Sequence, residues 1–444
     1  MSSDRLIDSL ATTDALAGVF SDASVLQAML DFEVALARVQ ARAGVIPSSA
    51  ANAIAATARV EAFDAEAIAR GARQAATPSV PFVAALVDLV RAADPAAATY
   101  VHWGATSQDV ADTALVLLLM RARPLLAADH ARMVSTLRRL SDTHADTIML
   151  GRTLLQPATP ITFGLKAAVW HSIATNAWAR VERSFDSAGV VQLGGAAGTL
   201  APLGDAGMEI VEALANELGL RAALPWHTDR GRLAAVVAAT GIYAGALGKI
   251  ARDIALLAQS EVGEVSAPGG GSSTMPHKQN PSGCAVALAA AARLPGIVAA
   301  HMAGLVQEHE RALGGWQAEW PTVTRAIEAT GAAVAALAAT VAGLGVDPDR
   351  MRANLDATRG AIFAERATFL LRPAVGREAA QAIVEKALAA MRGGGVTFGA
   401  ALCGDPDAVR ALPSAVLAHI DDPEDALGSA EAFRLDLLAE PRHS

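Results

Sequence analysis

The chain has 444 residues, 52% hydrophobic and 18% charged, which is too long for one compact domain and too apolar for a disordered chain. Acidic side chains outnumber basic ones 45 to 36, a net charge of -9 that argues against nucleic acid as a partner but leaves a small anionic ligand open. Two cysteines, Cys284 and Cys403, are too few for a disulfide framework, and the opening Met-Ser-Ser-Asp-Arg-Leu-Ile-Asp lacks the layout of a signal peptide, so a cytoplasmic protein is expected.

Alanine, leucine and arginine dominate, aromatics are only 4%, and strand-like alternation is scarce, which predicts an all-α fold. From Asp31 to Ala43 the apolar residues Phe32, Val34, Ala35, Ala37, Val39 and Ala41 form a helical stripe that reads as core. Glycine, proline and polar residues break the helical texture together at Val101–Thr113, Gly151–Thr162 and Ala267–Gly283, and such loops are where chemistry is carried. Ala114–Met149, between the first two breaks, is long enough for one helix of about thirty residues and roughly 45 Å. Long helical patterns recur from Arg232 to Ser260, Ser282 to Glu308 and Thr322 to Leu344, and a bundle is the natural way to bury them.

Breakers are denser before about Tyr100 and after about Asn354. This predicts small helical domains at 1–105 and 355–444 around a central long-helix domain at 106–354, with a Gly-rich loop at 267–283. The apolar runs near Leu233–Ala258 and Ala285–Val306 carry Lys249, Arg252, Asp253, Arg293, Pro295 and His301, so no membrane span is expected. Alanine-rich helices whose apolar faces exceed what one slender bundle covers point instead to oligomerisation.

The most informative segment is Pro268-Gly269-Gly270-Gly271-Ser272-Ser273-Thr274-Met275-Pro276-His277-Lys278-Gln279-Asn280-Pro281. Three glycines let the backbone approach a ligand closely, and serine hydroxyls and N–H groups can converge on an anion. Only four lysines occur in the chain, and Lys278 places a compact ammonium here, suited to a carboxylate. A bare Gly-Gly-Gly-Ser-Ser would read as a linker, but a linker has no reason to continue as Met-Pro-His-Lys-Gln-Asn-Pro.

This string resembles the signature loop of the fumarase/aspartase superfamily, Gly-Ser-Ser-x-Met-Pro-x-Lys-x-Asn-Pro, matching every specified position between Gly271 and Pro281. Members of that superfamily move a proton next to a carboxylate and break or make a bond at the β carbon, through a carbanion stabilised as an aci-carboxylate. The resemblance implies that Ser272 is the catalytic base and that Lys278 and Asn280 bind the charge as it develops. Ser273 and Thr274 read as structural hydroxyls, and His277 as touching either substrate or the loop's own backbone. Val101-His102-Trp103-Gly104-Ala105-Thr106-Ser107-Gln108-Asp109 resembles the superfamily's first conserved region and implies that Thr106 and Ser107 bind a substrate carboxylate. Asp112 and Thr113 precede an apolar run and read as caps of the helix that follows, the role preferred for Asp112.

Gly151-Arg152-Thr153-Leu154-Leu155-Gln156 resembles the second region, in which many members have histidine where this chain has Leu154. Thr153 and Gln156 remain as implied substrate ligands. Leucine cannot protonate a leaving group; amines and hydroxide need that help, while a carboxylate, with an ordinary pKa near 4, does not. Loss of that acid points to a good leaving group, which fits the lactonising members that the chain resembles, in which a carboxylate of an unsaturated triacid of aromatic-acid catabolism adds to its own alkene.

Pro225-Trp226-His227-Thr228 and Gln307-Glu308-His309-Glu310-Arg311 agree with that branch, whereas Asp229-Arg230-Gly231-Arg232 departs from it. Arg311 matches an arginine that contacts substrate in relatives, its alternative being an ion pair with Glu308 or Glu310. His102 and His227 read as substrate ligands or buried structural histidines, and Glu319 as orienting donors or anchoring a helix. The resemblance further implies a small polycarboxylate substrate, no metal or other cofactor, and a homotetramer with a 20-helix core and active sites shared between subunits. The rivals are another lyase of the same fold, acting on nitrosuccinate or adenylosuccinate, and a catalytically silent helical scaffold.

Overall fold

The computed structural model describes residues 6–271, 274–275 and 278–439. Helices dominate, with two short antiparallel strand pairs, in agreement with the all-α reading. The N-terminal stripe belongs to α1, Asp22–Arg42, which begins earlier than the apolar spacing suggests because the Ser21 side chain caps it by accepting from the Ser24 N–H. Leu26, Met29, Leu30, Phe32, Leu36 and Val39 are buried along it, and so are Glu33 and Gln40.

The helix expected over Ala114–Met149 is α2, Ser107–Thr143. It starts inside the first break and stops short of Met149, because Ile148–Thr153 form strand β1, paired antiparallel with β2, Gln156–Thr162. The break at Gly151–Thr162 is thus a β-hairpin rather than an irregular loop. Pro157 and Pro160 hide it from a pattern reading, yet both strands of a two-stranded ribbon are edges, where proline is tolerated. Thr153 pairs with Gln156 across a two-residue turn whose Leu154 and Leu155 have φ of 51° and 64°. That is the left-handed pair a type I′ turn demands, normally filled by Asn-Gly, and the two leucine side chains are exposed. Left-handed backbone costs a non-glycine residue about 1–2 kcal/mol, so Leu154→Asn with Leu155→Gly is expected to raise the thermal midpoint by a few degrees in a melting scan. An unchanged or lower midpoint would show that the turn carries no strain.

The remaining long helices are α3, Phe163–Ala188; α4, Gly231–Leu257; α5, Ser282–Ala303; and α6, Glu319–Ala342. α5 ends before Gly304 instead of running on to Glu308. The chain divides into two compact units. The first comprises Met1–Ala131, Asn176–Lys249 and Ala285–Leu337. Within it glycines of α4 receive side chains of α5: a Cβ at Gly248 would lie 2.6 Å from the Ala291 Cβ, and one at Gly241 would lie 2.8 Å from the Val298 Cγ2. Any larger residue at either position would force the helices apart.

The second unit comprises Arg132–Thr175, Ile250–Cys284 and Ala338–Ser444. Its core joins Leu150 of the hairpin to Leu355, Phe363, Leu371, Ile383, Phe398 and Leu402 of the C-terminal helices. Arg152 on β1 donates to both carboxylate oxygens of the buried Glu264 at 2.9 and 2.6 Å, and Asn354 donates to the same group at 2.8 Å. Arg152 is therefore the tie that anchors the hairpin.

Among the described residues three helices, Gly231–Leu257, Ser282–Ala303 and Trp316–Ala342, are long and apolar enough to cross a membrane. This corrects the expectation that charged residues interrupt every such run. In the first, Lys249, Arg252 and Asp253 crowd the last third, and in the second Arg293 stands among alanines. The most apolar windows of the first and third are each 67% buried, that of the second only 22%.

Candidate active site

The first conserved-looking segment ends where α2 begins, and the helix start is built unusually. Asp109 reaches back to accept the Thr106 N–H at 3.0 Å, satisfying the terminus with a carboxylate three residues in. The hydroxyls of Thr106 and Ser107, which commonly cap such a turn, are thereby released. Both accept from one side chain instead: Arg311 donates to Thr106 Oγ1 at 2.7 Å, to Ser107 Oγ at 2.8 Å and to Gln108 Oε1 at 3.3 Å. These partners are neutral oxygens, and among the described residues no carboxylate pairs with the guanidinium, which stands beside the positive end of a long helix dipole. Because the two hydroxyls accept from Arg311, their own O–H groups are free to donate outward. Two hydroxyls, a guanidinium and a helix N-terminus together are donors of the kind that suit one carboxylate. The alternative ion pairs of Arg311 with Glu308 or Glu310 are not formed among the described residues.

Asp109 is fully buried and also accepts from the N–H groups of Gly194 and Gly195 at 3.0 and 2.9 Å, and it lies 2.8 Å from His227 Nε2. Gly194 leaves room for that ring, since a Cβ there would fall 2.7 Å from the His227 Cε1. His227 is buried and bonded as a structural histidine would be, while its carbonyl accepts from Gln108 at 2.8 Å. His102 has its Nδ1 2.6 Å from the buried Glu33 on α1. Burial pulls the imidazole pKa down, but the Glu33 charge and hydrogen bond outweigh it and hold the value above the ordinary 6.5.

A raised folded-state value means that this pair stabilises the fold fully below about pH 6.5 and loses that contribution as pH rises through the folded pKa. Glu33→Gln is therefore expected to be most destabilising in mildly acidic buffer. Urea midpoints of both proteins across pH 5 to 9 would check this, and a gap that widened with pH would refute it.

Deeper along α2, Asp112 and Thr113 lie inside the helix and do not cap it. Thr113 Oγ1 donates to the Gln192 carbonyl and accepts its N–H, both at 3.0 Å. Asp112 receives Arg230 at 2.7 and 2.9 Å, and the other side of the same guanidinium meets Glu319 at 3.0 and 2.6 Å. All three side chains are buried, and the Arg230 guanidinium sits 4.7 Å over the Trp226 ring. Burial pushes the Glu319 carboxyl up, with Arg230 offsetting part of that shift. Burial and the Arg230 charge hold His301 down at about 4, so the ring is neutral. Glu319 thus holds two donors, the Arg230 guanidinium and the Gln307 amide, and the departure at Asp229-Arg230-Gly231-Arg232 supplies the cation of this triad.

In the second unit the described part of the Gly-rich loop closes on itself. The Asn280 N–H donates to the Gly270 carbonyl at 3.2 Å, Gly271 bridges Gln279, and a Cβ at Gly269 would fall on the Asn280 carbonyl oxygen, so only glycine fits there. Lys278 is exposed and Asn280 half-buried. Ser272, Ser273 and His277 lie outside the described residues. Thr153 and Gln156 are exposed on either side of the hairpin turn.

The structure therefore brings Thr106, Ser107 and Arg311 together, with His227 tied to the same helix start through Asp109. Thr153, Gln156, Lys278 and Asn280 belong to the other unit. Gln108 and Asp109 went unnoticed as members of the site, although Thr-x-x-Asp before an apolar run is a capping pattern that could have revealed Asp109.

The model of a lyase family matches residues 9–296. The 3-carboxy-cis,cis-muconate cycloisomerase of Bradyrhizobium diazoefficiens is 45% identical over 86% of this chain and 86% of its own length. A nitrosuccinate lyase of Streptomyces davaonensis is 44% identical over 92% of this chain and 89% of its own. The crystal structure of the 3-carboxy-cis,cis-muconate lactonizing enzyme from Pseudomonas putida superposes with a TM-score of 0.91 at 41% identity, covering 97% of this chain and 98% of that one.

Proposed function

The chain belongs to the fumarase/aspartase lyase superfamily, alongside the 3-carboxy-cis,cis-muconate cycloisomerases, and from that premise we propose that it interconverts 3-carboxy-cis,cis-muconate and 4-carboxymuconolactone. The observation that carries this reading is the Arg311 guanidinium, held among the described residues by neutral oxygens at the start of α2, a seat for one carboxylate of a polyanion. In the forward direction one carboxylate of the triacid attacks the neighbouring alkene carbon. The electron pair of the double bond passes into the adjacent carboxylate, forming the aci-carboxylate, and the Ser272 hydroxyl then delivers a proton to the carbon next to it. In reverse the Ser272 oxygen removes that proton and the ring carboxylate departs. Thr106, Ser107 and Arg311 hold one acid group, and Lys278 and Asn280 take up the developing charge. His102, Thr153 and Gln156 complete the proposed substrate contacts, and His227 serves them indirectly, by holding Asp109 at the start of α2.

Leu154 supports this reading over amine-expelling relatives, because a departing carboxylate needs no acid at that position. A nitro group is also a good leaving group, so the likeness to a nitrosuccinate lyase favours that reaction as the second reading. We further propose a cytoplasmic homotetramer whose active sites combine residues of several subunits. It is supported by the sparse burial of the apolar α5, which an oligomer would cover. Small helical parts at 1–105 and 355–444 around the long helices belong to the same proposal.

The test is spectrophotometric. Purified protein should remove the diene absorbance of 3-carboxy-cis,cis-muconate in buffer without added metal or nucleotide. Loss of nitrite from nitrosuccinate with no change in the muconate would overturn the assignment in favour of the second reading.

A further inference from the structure

Arg311 sits on a segment, 304–318, that ought to be loose. It joins α5 to α6 without regular structure before Trp316, and its apolar side chains Val306 and Leu313 are each 89% exposed, so hydrophobic burial holds it at the neck, where Trp316 is buried, and not at Val306 or Leu313. Its neck is pinched, because a Cβ at Gly315 would stand 3.0 Å from the Gly304 carbonyl oxygen. Two side chains beside the neck reach into the buried charge triad. The Trp316 indole N–H donates to Asp112 at 3.0 Å, and Gln307 donates to Glu319 at 3.0 Å and to the Gly304 carbonyl at 3.1 Å. Asp112 is linked in turn along α2 to Gln108, which donates to it at 3.3 Å and accepts from Arg311.

We infer that the Asp112–Arg230–Glu319 triad, acting through Trp316 and Gln307, is the device that positions Arg311 for the substrate carboxylate. The triad fixes where the neck of the segment lies relative to α2, and Arg311 then needs to order only itself to reach Thr106 and Ser107. Trp316 is accordingly a positioning residue: it acts on substrate through Arg311. This inference rests on the reading of Arg311 as a carboxylate ligand.

The test is Trp316→Phe, which keeps the ring and removes one buried hydrogen bond to a charged acceptor, assayed alone and in an Arg311→Ala background. Alone it should raise KM for the muconate about tenfold, the equivalent of one such bond, with kcat within about twofold of the original. In the Arg311→Ala background it should add nothing, because the group it positions is gone. Limited trypsin digestion supplies a readout independent of any substrate: cleavage after Arg311 should accelerate about tenfold in Trp316→Phe while other arginines are cut at unchanged rates.

An undiminished effect in the Arg311→Ala background would overturn the inference as a purely structural role, and so would unchanged KM and unchanged cleavage. Should the wild-type protein leave the muconate untouched, the proposed substrate falls, and accelerated or unaccelerated cleavage alone decides the positioning role. If Trp316→Phe does not fold, Gln307→Leu is read by the same criteria.

Discussion

Ser272→Ala is expected to lower kcat by between about a hundredfold and ten-thousandfold, the usual range for losing a positioned proton-transfer group, while KM stays close to that of the original protein. A hydrogen on carbon beside a carboxylate is so weakly acidic that solvent is a poor substitute for a hydroxyl aimed at it. In the proposed mechanism substrate affinity resides instead in the cations and hydroxyls that receive the acid groups, and the serine is not one of them. Arg311→Ala should show the opposite balance, with the larger change in KM. Steady-state rates from the diene absorbance separate the two, and gel filtration checks that the assembly is unaltered. Turnover of Ser272→Ala within tenfold of the original would mean that another group moves the proton. Ser272 lies outside the described residues, so the expectation stands on the Gly-Ser-Ser-x-Met-Pro-x-Lys-x-Asn-Pro motif and on the chemistry of the reaction.

What could be read ahead of the structure was whatever is local. Alanine-rich periodicity located α4, α5 and α6 to within about five residues, because propensity and burial there point the same way, but it placed α2 about seven residues late and did not single out α3. It failed at 148–162, where two prolines mask strand pairing that only the partner strand makes visible. It also failed at Asp112: aspartate before an apolar run looks like a cap, and only the folded chain brings in Arg230, 118 residues away, to explain its burial inside the helix. Arg311 shows the same limit. Its neighbours Glu308 and Glu310 were the available partners in sequence, whereas its actual partners lie 203 to 205 residues upstream. Motif likeness bridged that distance for Thr106 and Ser107, but it was silent about Gln307 and Trp316, whose roles arise only from what they touch.

The second large effect is expected from Arg230→Met. The guanidinium stands between two buried carboxylates, with Trp226 against its face, and the side chains on both sides of it are almost fully excluded from water. Removing the cation leaves Asp112 and Glu319 in low dielectric without their partner, a change that costs about 3–5 kcal/mol in comparable buried pairs. Glu319, already pushed up by burial, would respond by taking a proton, which softens the loss without abolishing it because Asp112 still faces the same cavity. Urea unfolding at fixed protein concentration should therefore show a marked drop in midpoint, and a loss below about 1 kcal/mol would mean that the triad is not buried as described. Replacing all three together, Asp112→Leu, Arg230→Met and Glu319→Leu, removes the unpaired charges as well, and such apolar swaps are often neutral or stabilising by about 1–4 kcal/mol. If stability returns in that triple variant while KM stays high, the triad is retained for where it puts Arg311 and not for the strength of the fold. Recovery of both together would show that the ion pairs do nothing that a well-packed apolar plug could not.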